Sequence, residues 1–262
     1  LIVIFCGFEF FIQNFIFLLK VGKRIIMRPR PKKHRQERYE MVNKYLATTI
    51  KDIDCTVPEV MRRTGEGRLI NLEKTYGSEF MFAPLRLEIG CGKGAFISGL
   101  SKRFPNDRLL AFEIVPDVML MAMEKCKEQN CENVKFYHCD ATIVDSLLPE
   151  NSVDVLYLNF SDPWPKARTA KRRLTATPFL EKYKKVLKPG GKIYFKTDNR
   201  PLFDFSLEQF EEAGYTLEKV CFDLHNSPLA AENIETEYEK NFSEKGFTIN
   251  YLEAISPKKP DL

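Results

Sequence analysis

The feature that most constrains this chain is a strand-sized apolar run, Leu85–Ile89, that breaks into glycine at every second position (Gly90, Gly92, Gly94) and passes directly into a helical pattern at Ala95. Glycine lets the backbone turn sharply and approach a ligand closely. The helix N-terminus behind such a loop favours an anionic group. The rest of the chain repeats the same strand-helix alternation. Strands are expected at 85–89, 108–114, 134–138, 153–160, 192–197, 217–222 and 248–255, and helices at 95–103, 116–129, 178–187 and 202–213. Pro116 sits where a helix accepts a first-turn proline; Pro189-Gly190-Gly191 stops one helix and Gly214 another. The pattern predicts an α/β fold, a mostly parallel sheet with helices on both faces. Ligands of such sheets bind beyond the carboxyl ends of the strands.

Composition supplies exclusions. Apolar residues make up 44% and charged residues 29% of the 262, ordinary globular usage that excludes a disordered chain, a collagen and a polytopic membrane protein. The net charge is only +4, so where the charge sits matters more than its total. Residues 28–38 form a basic leader with Arg28, Arg30, Lys32, Lys33, Arg35 and Arg38 against Glu37, and Pro29 and Pro31 argue against helix there. The seven cysteines are odd in number and lack C-x-x-C spacing, and the three histidines stand far apart. No metal site or disulfide framework is expected, and buried thiols of a reduced, cytoplasmic protein fit better.

Residues 1–26 are apolar and rich in Phe and Ile, with Glu9 inside and Lys20, Lys23 and Arg24 following. They lack the leading charges and small-residue end of a signal peptide, and an acid within a membrane span is costly. With Met27 the first methionine, the segment reads as upstream translation or a misassigned start, against a membrane anchor as competitor. The expected organisation is that extension, a basic leader and N-terminal segment over 27–84, the ligand-binding domain over 85–255, and a tail over 256–262.

The acids around the glycine loop narrow the ligand. Gly90-x-Gly92-x-x-Ala95 also fits the dinucleotide pattern, so a nicotinamide cofactor competes. Glu88, however, stands at the end of the first strand, where an acid suits a sulfonium or an amine better than a pyrophosphate. Glu113 ends the second strand, where a carboxylate suits ribose hydroxyls. Asp140 follows the third strand, where an acceptor suits an adenine amine. Three carboxylates about a glycine loop suit S-adenosyl-L-methionine; the bland alternative is a set of caps and turn residues.

The string Asn159-Phe160-Ser161-Asp162-Pro163-Trp164-Pro165-Lys166 follows the fourth strand and holds the only tryptophan. Two prolines stiffen it and pre-aim Asp162. Lys166, Arg168, Lys171, Arg172 and Arg173 come next with no acid among them, which suggests a polyanionic substrate. Asp198, after the fifth strand, reads equally as an acceptor for a base or as a helix cap. Thr236-Glu237-Tyr238-Glu239 reads from its spacing as a capping box. His138 and His225 have no sequence partner that would make either a base.

Together these residues resemble the bacterial tRNA (guanine-N7-)-methyltransferase family. The matching strings are Leu87-Glu-Ile-Gly-Cys-Gly-Lys-Gly94, Leu158-Asn-Phe-Ser-Asp-Pro-Trp-Pro-Lys166, Lys171-Arg-Arg-Leu-Thr175, Phe195-Lys-Thr-Asp-Asn199 and Thr236-Glu-Tyr-Glu239, in the family's order over residues 27–255. The glycine loop is common to many methyltransferases; the Asp-Pro-Trp-Pro-Lys and Lys-Arg-Arg-Leu-Thr pair is far more specific. The resemblance implies a Rossmann-like class I methyltransferase with a seven-stranded sheet, acting on guanosine 46 of the tRNA variable loop; apart from tRNA, the expected state is a monomer or homodimer with no stable membrane association. It implies that Glu88, Gly90, Gly92, Glu113, Asp140 and Asp162 bind S-adenosyl-L-methionine, with Asp162 also the catalytic residue. It implies that Lys166, Asp198, Thr236, Glu237, Tyr238 and Glu239 bind substrate, and that Arg168, Lys171, Arg172 and Arg173 contact RNA. Two positions depart from the family: Thr169 replaces a usual His, and Asn241 stands where a basic residue is usual. An exocyclic-amine methyltransferase and a tRNA-binding module without activity are the competing readings.

Overall fold

The computed structural model describes residues 34–47 and 69–257; the expectations for residues 1–26, for the first part of the basic leader and for most of the tail lie outside them. Helix α1 (Arg35–Met41) begins beyond both leader prolines. The Arg38 guanidinium donates to both carboxylate oxygens of Glu124 at 2.7 and 2.6 Å, and Arg35 lies 3.1 Å from Asp117. The leader's last arginines therefore dock on the protein's own acids. A short helix α2 (Leu72–Tyr76) follows, capped by the Asn71 side chain.

The alternating core then runs in chain order. It comprises β1 (Leu85–Ile89), α3 (Ala95–Arg103), β2 (Arg108–Glu113), α4 (Pro116–Glu128), β3 (Val134–His138), α5 (Val144–Leu147) and β4 (Val153–Asn159). It continues with α6 (Thr177–Val186), β5 (Leu187–Thr197), α7 (Arg200–Glu212), β6 (Thr216–Cys221), α8 (Glu237–Ser243) and β7 (Asn250–Ile255). The sheet has seven strands in the order β3-β2-β1-β4-β5-β7-β6. Strands β1 to β5 pair in parallel, and β7 runs antiparallel between β5 and β6.

Strand β5 starts five residues earlier than its pattern indicates, immediately after α6. Its register against β4 slips between Val153 and Val155, so that Leu187 faces Val153 and Lys192 faces Val155. Pro189-Gly190-Gly191 is thus taken up as an irregularity within the ladder, the place where a sheet tolerates proline and glycine.

Alternation along the strands divides the interior in two. Leu85, Leu87, Ile89, Leu156, Leu158, Ile193 and Phe195 pack with α6 and α7 on one face. Leu109, Ala111, Val134 and Phe136 pack with α3, α4 and Tyr39 on the other. Glu88 points away from the first of these clusters because its neighbours Leu87 and Ile89 point into it. The order reverses between β1 and β4, which opens a crevice at their carboxyl ends.

Candidate active site

The glycine loop closes over the end of β2: the Gly90 and Cys91 amides both donate to the Phe112 carbonyl, at 2.8 and 3.1 Å. Its glycines serve two ends. A Cβ on Gly94 would stand 2.8 Å from Ala122 of α4, so this position lets α3 and α4 meet. Cβ atoms on Gly90 and Gly92 would meet nothing within 4 Å, and both residues have positive φ (80° and 55°). These two therefore border open space rather than packing.

Glu88 adjoins that space at 1% exposure. One carboxylate oxygen accepts from the Asn159 amide at 3.1 Å, and the other is buried without a hydrogen-bond partner. Burial pushes its pKa up to about 8, opposed by Asn159 and Lys196 and reinforced by Glu113. A buried acid with one unsatisfied oxygen wants a cation or a proton. Glu113 is differently used: one oxygen accepts from Gly92 N at 3.0 Å, the other from Ile114 N and Val115 N at 2.9 Å each. Burial raises its pKa against those amides. It therefore ties the glycine loop to the end of β2. Asp140 accepts from Thr142 N at 2.9 Å and caps the turn Ala141–Ile143. An unsatisfied acid, two open glycines and two further carboxylates at adjacent strand ends fit a cationic nucleoside that carries an amino acid through a sulfonium, such as S-adenosyl-L-methionine.

The loop after β4 is held in a strained shape. Phe160 and Trp164 both have positive φ (52° and 40°), sparsely populated conformations for bulky residues that persist only when the surroundings impose them. The restraints are visible. Phe160 N donates to the Lys196 carbonyl at 2.8 Å. The Arg173 guanidinium donates to the carbonyls of Pro163 (2.9 Å) and Trp164 (3.2 Å). Arg172 lies 5.0 Å from the Trp164 ring. Asp162 is exposed within this brace, as are Lys166, Arg168, Lys171 and Arg172. Thr169, in place of the usual His, bonds back to the Lys166 carbonyl through its hydroxyl at 2.8 Å.

At the end of β5, Asp198 is not the helix cap. Asn199 caps α7, accepting from Leu202 N at 2.9 Å, which leaves Asp198 to accept from the Tyr238 hydroxyl at 3.2 Å. The capping box at Thr236 and Glu239 is present. Glu237 forms an ion pair with Lys125. Glu239 is 0% exposed and sits inside a network that sequence spacing did not reveal. It accepts from Lys196 Nζ at 2.6 Å, His225 Nε2 at 2.9 Å and Asn233 Nδ2 at 2.6 Å. Lys196 also reaches the Asn233 side chain and the Ile234 carbonyl, each at 2.9 Å. Burial acts to raise the Glu239 pKa, but Lys196, His225 and Asn233 together hold it below the usual carboxylate range. From sequence, His225 reads as lacking a partner, Lys196 and Asn159 stand inside the matching strings with no role of their own, and Asn233 carries no signal; the one available for Lys196 and Asn159 is that they are polar at the ends of buried strands.

A cavity of about 360 Å³ lies along the sheet face beneath, lined by Phe96, Tyr157, Asn159, Tyr194, Lys196 and Tyr251 among others. Asn159 and Lys196, which donate to Glu88 and Glu239, form part of its wall, so the cavity adjoins the carboxylate edge. Among the described residues no group of His, Cys, Asp and Glu could hold a metal ion, no helix is long and apolar enough to cross a membrane, and Cys91, Cys126, Cys131, Cys139 and Cys221 are free.

A seven-stranded sheet of this order, its reversed strand beside β5 and its glycine loop bordered by buried acids, defines a Rossmann-like class I methyltransferase that uses S-adenosyl-L-methionine. A family described as "Putative methyltransferase" matches residues 82–252. In three dimensions the chain is similar to the "Structure of an Antibiotic Related Methyltransferase", with a TM-score of 0.50 and 15% identity over 66% of this chain and 87% of that one, a likeness of fold. The tRNA (guanine-N(7)-)-methyltransferase of Bacillus subtilis (strain 168) is 47% identical over 62% of this chain and 76% of its own length. Those of Brevibacillus brevis (44%, 65% and 80%) and Lachnoclostridium phytofermentans (46%, 67% and 82%) are similarly related. The chain belongs to the tRNA (guanine-N(7)-)-methyltransferase family.

Proposed function

We propose that this protein methylates N7 of a guanosine in tRNA, at position 46 of the variable loop, in the cytoplasm. The observation that carries the reading is Asp162. This exposed carboxylate is fixed at the carboxyl end of β4 by a strained, braced loop, one strand from the unsatisfied Glu88 and one from the Asp198–Tyr238 pair.

S-adenosyl-L-methionine, when bound, supplies an electrophilic methyl on a sulfonium. Glu88 would hold its cationic part, with Gly90 and Gly92 giving the backbone room and Glu113, Asp140 and Asp162 completing the binding set. Guanine N7 carries an exposed lone pair and needs no proton removed before it attacks. A general base is therefore unnecessary, which agrees with an edge built from carboxylates, Lys and Tyr. The guanine ring gains positive charge as N7 bonds, and the fixed Asp162 stabilises that charge where it develops. The Watson–Crick edge of guanine offers two adjacent donors that one carboxylate accepts; Asp198, oriented by Tyr238, is suited to that task. Glu239 supports it from behind by holding the Thr236–Glu239 turn. Lys166, Arg168, Lys171 and Arg172 face the RNA backbone, whereas Arg173 contributes by bracing the loop. Alignment and electrostatics supply the rate.

The test is transfer of labelled methyl from S-adenosyl-L-methionine to unmodified tRNA transcript, followed by nucleoside mass spectrometry. 7-Methylguanosine that disappears when the variable-loop guanosine is replaced is the expected result. Label on another nucleoside overturns the guanine-N7 reading. Asp162→Ala is expected to lower turnover far more than tRNA binding; unchanged turnover removes the role given to Asp162.

A further inference from the structure

Four aromatic rings on the rim of the site belong to neither core cluster. They form a ladder. Phe160, two residues before Asp162, meets Tyr238 with ring centroids 5.1 Å apart. Tyr238 lies nearly parallel to Phe242 at 4.1 Å and 15°. Phe242 meets the edge of Phe247 at 5.3 Å, because the chain turns back after α8 and Phe247 N donates to the Phe242 carbonyl at 3.1 Å. The Lys245 ammonium stands 5.1 Å from the Phe242 ring.

Tyr238 and Phe242 are four residues apart on one helix, and their contact is the ordinary stabilisation of such a pair. That account does not extend to Phe247. Phe247 is 51% exposed, yet a turn folds its ring back to lengthen the ladder instead of releasing it into water or burying it. An exposed, positioned ring, with a cation against the ring behind it, suits an unpaired nucleobase: every base has a π-face to stack, and a nearby lysine meets the phosphate. A strand that delivers one nucleotide to Asp162 leaves its neighbours unstacked, and their faces need a new partner.

We propose that Phe247, backed by Phe242, is a stacking site for an unpaired tRNA nucleobase near the target guanosine, with Lys245 facing the adjoining phosphate. The proposal rests on the reading of the chain as a tRNA methyltransferase. It assigns a contact outside the Thr236–Glu239 string and outside the basic loop.

The experiment uses the full chain and tRNA transcripts carrying 2-aminopurine at unpaired positions flanking the target. The wild type is expected to quench one of these probes on binding. Phe247→Ala should abolish that quench and weaken tRNA binding about tenfold, with turnover at saturating tRNA and the salt dependence of binding unchanged. Phe247→Trp should restore both binding and quench. Phe247→Leu, which keeps apolar bulk without a π-face, should behave like Phe247→Ala. Lys245→Ala should lower the salt slope by about one. Wild-type affinity and quench in Phe247→Ala overturn the proposal, and so does full rescue by Phe247→Leu, which would mark simple apolar packing. Failure of the wild type itself to bind or methylate tRNA overturns the underlying reading instead.

Discussion

Removing the ammonium of Lys196 isolates what the buried network behind the site contributes. Lys196 is 3% exposed and Glu239 0%, and the ammonium makes three hydrogen bonds, of which the one to Glu239 is the shortest at 2.6 Å. Removing one partner of a buried ion pair costs about 3–5 kcal/mol, because the other charge is left uncompensated. In Lys196→Met, Glu239 would still receive His225 and Asn233, which places the expected loss at the low end, about 3 kcal/mol. For a domain of this size that corresponds to a fall in Tm of about 6–12 °C. Removing both charges, Lys196→Met with Glu239→Met, should recover part of that loss, since an apolar pair leaves no orphaned ion. The assay is urea denaturation followed by circular dichroism for the single and double variants, with methyl transfer measured alongside. Because the network ties the end of β5 to the turn that presents Tyr238 to Asp198, KM for tRNA should rise in Lys196→Met. A single variant within about 1 kcal/mol of wild type, or a double variant whose loss is the sum of the singles, would refute the reasoning.

Three further outcomes are expected. Burial raises Glu88 from an ordinary 4.5 to about 8, so between those values the folded, ligand-free protein holds a proton that the unfolded chain has released. Its contribution to stability is present below pH 4.5 and is lost as pH rises through about 8; thermal melts across this window should flatten in Glu88→Gln. S-adenosyl-L-methionine favours the ionised carboxylate, so its affinity should rise over the same window with proton release near neutral pH, and calorimetry showing neither would count against Glu88 as its cation partner. Gly92→Ala should fold with a loss of about 1–2 kcal/mol from its positive φ and lose cofactor binding. Gly94→Ala should lose distinctly more stability, because its Cβ strikes Ala122; equal melts for the two would show that the loop glycines are not divided in this way. Removing the charges of Arg168, Lys171 and Arg172 should reduce the salt slope of tRNA binding, whereas Arg173→Ala should lower turnover by releasing the Pro163 and Trp164 carbonyls. Kinetics and filter binding across ionic strength separate the two effects.

Most strands and helices were legible because each carries its own signal: apolar alternation, a first-turn proline at Pro116, a stop at Gly214. The start of strand β5 is not legible because Pro189-Gly190-Gly191 reads locally as a break, and only pairing with β4 turns it into an irregularity within a continuous strand. The candidate site divides along the same line. Glu88, Asp162 and Asp198 announce themselves as acids at strand ends. The buried partners behind the site do not: Asn159 holds Glu88 from a residue 71 positions away, and Lys196 reaches Glu239 across 43.

Sequence by itself determined the parallel α/β plan, the glycine loop, the acids at its edge and the family, since these follow from local periodicity and from motifs whose spacing the backbone enforces. Tertiary structure alone decided which of the motif residues face outward. Spacing reads Glu239 as half of a capping box, and the resemblance adds a substrate contact for it and an RNA contact for Arg173. The fold places one in a buried ion pair and the other against loop carbonyls, because a charged group brought against unsatisfied buried partners is held there by the desolvation those partners would otherwise suffer. Asp198 was freed in the same way, when Asn199 took the cap that either residue was equipped to make.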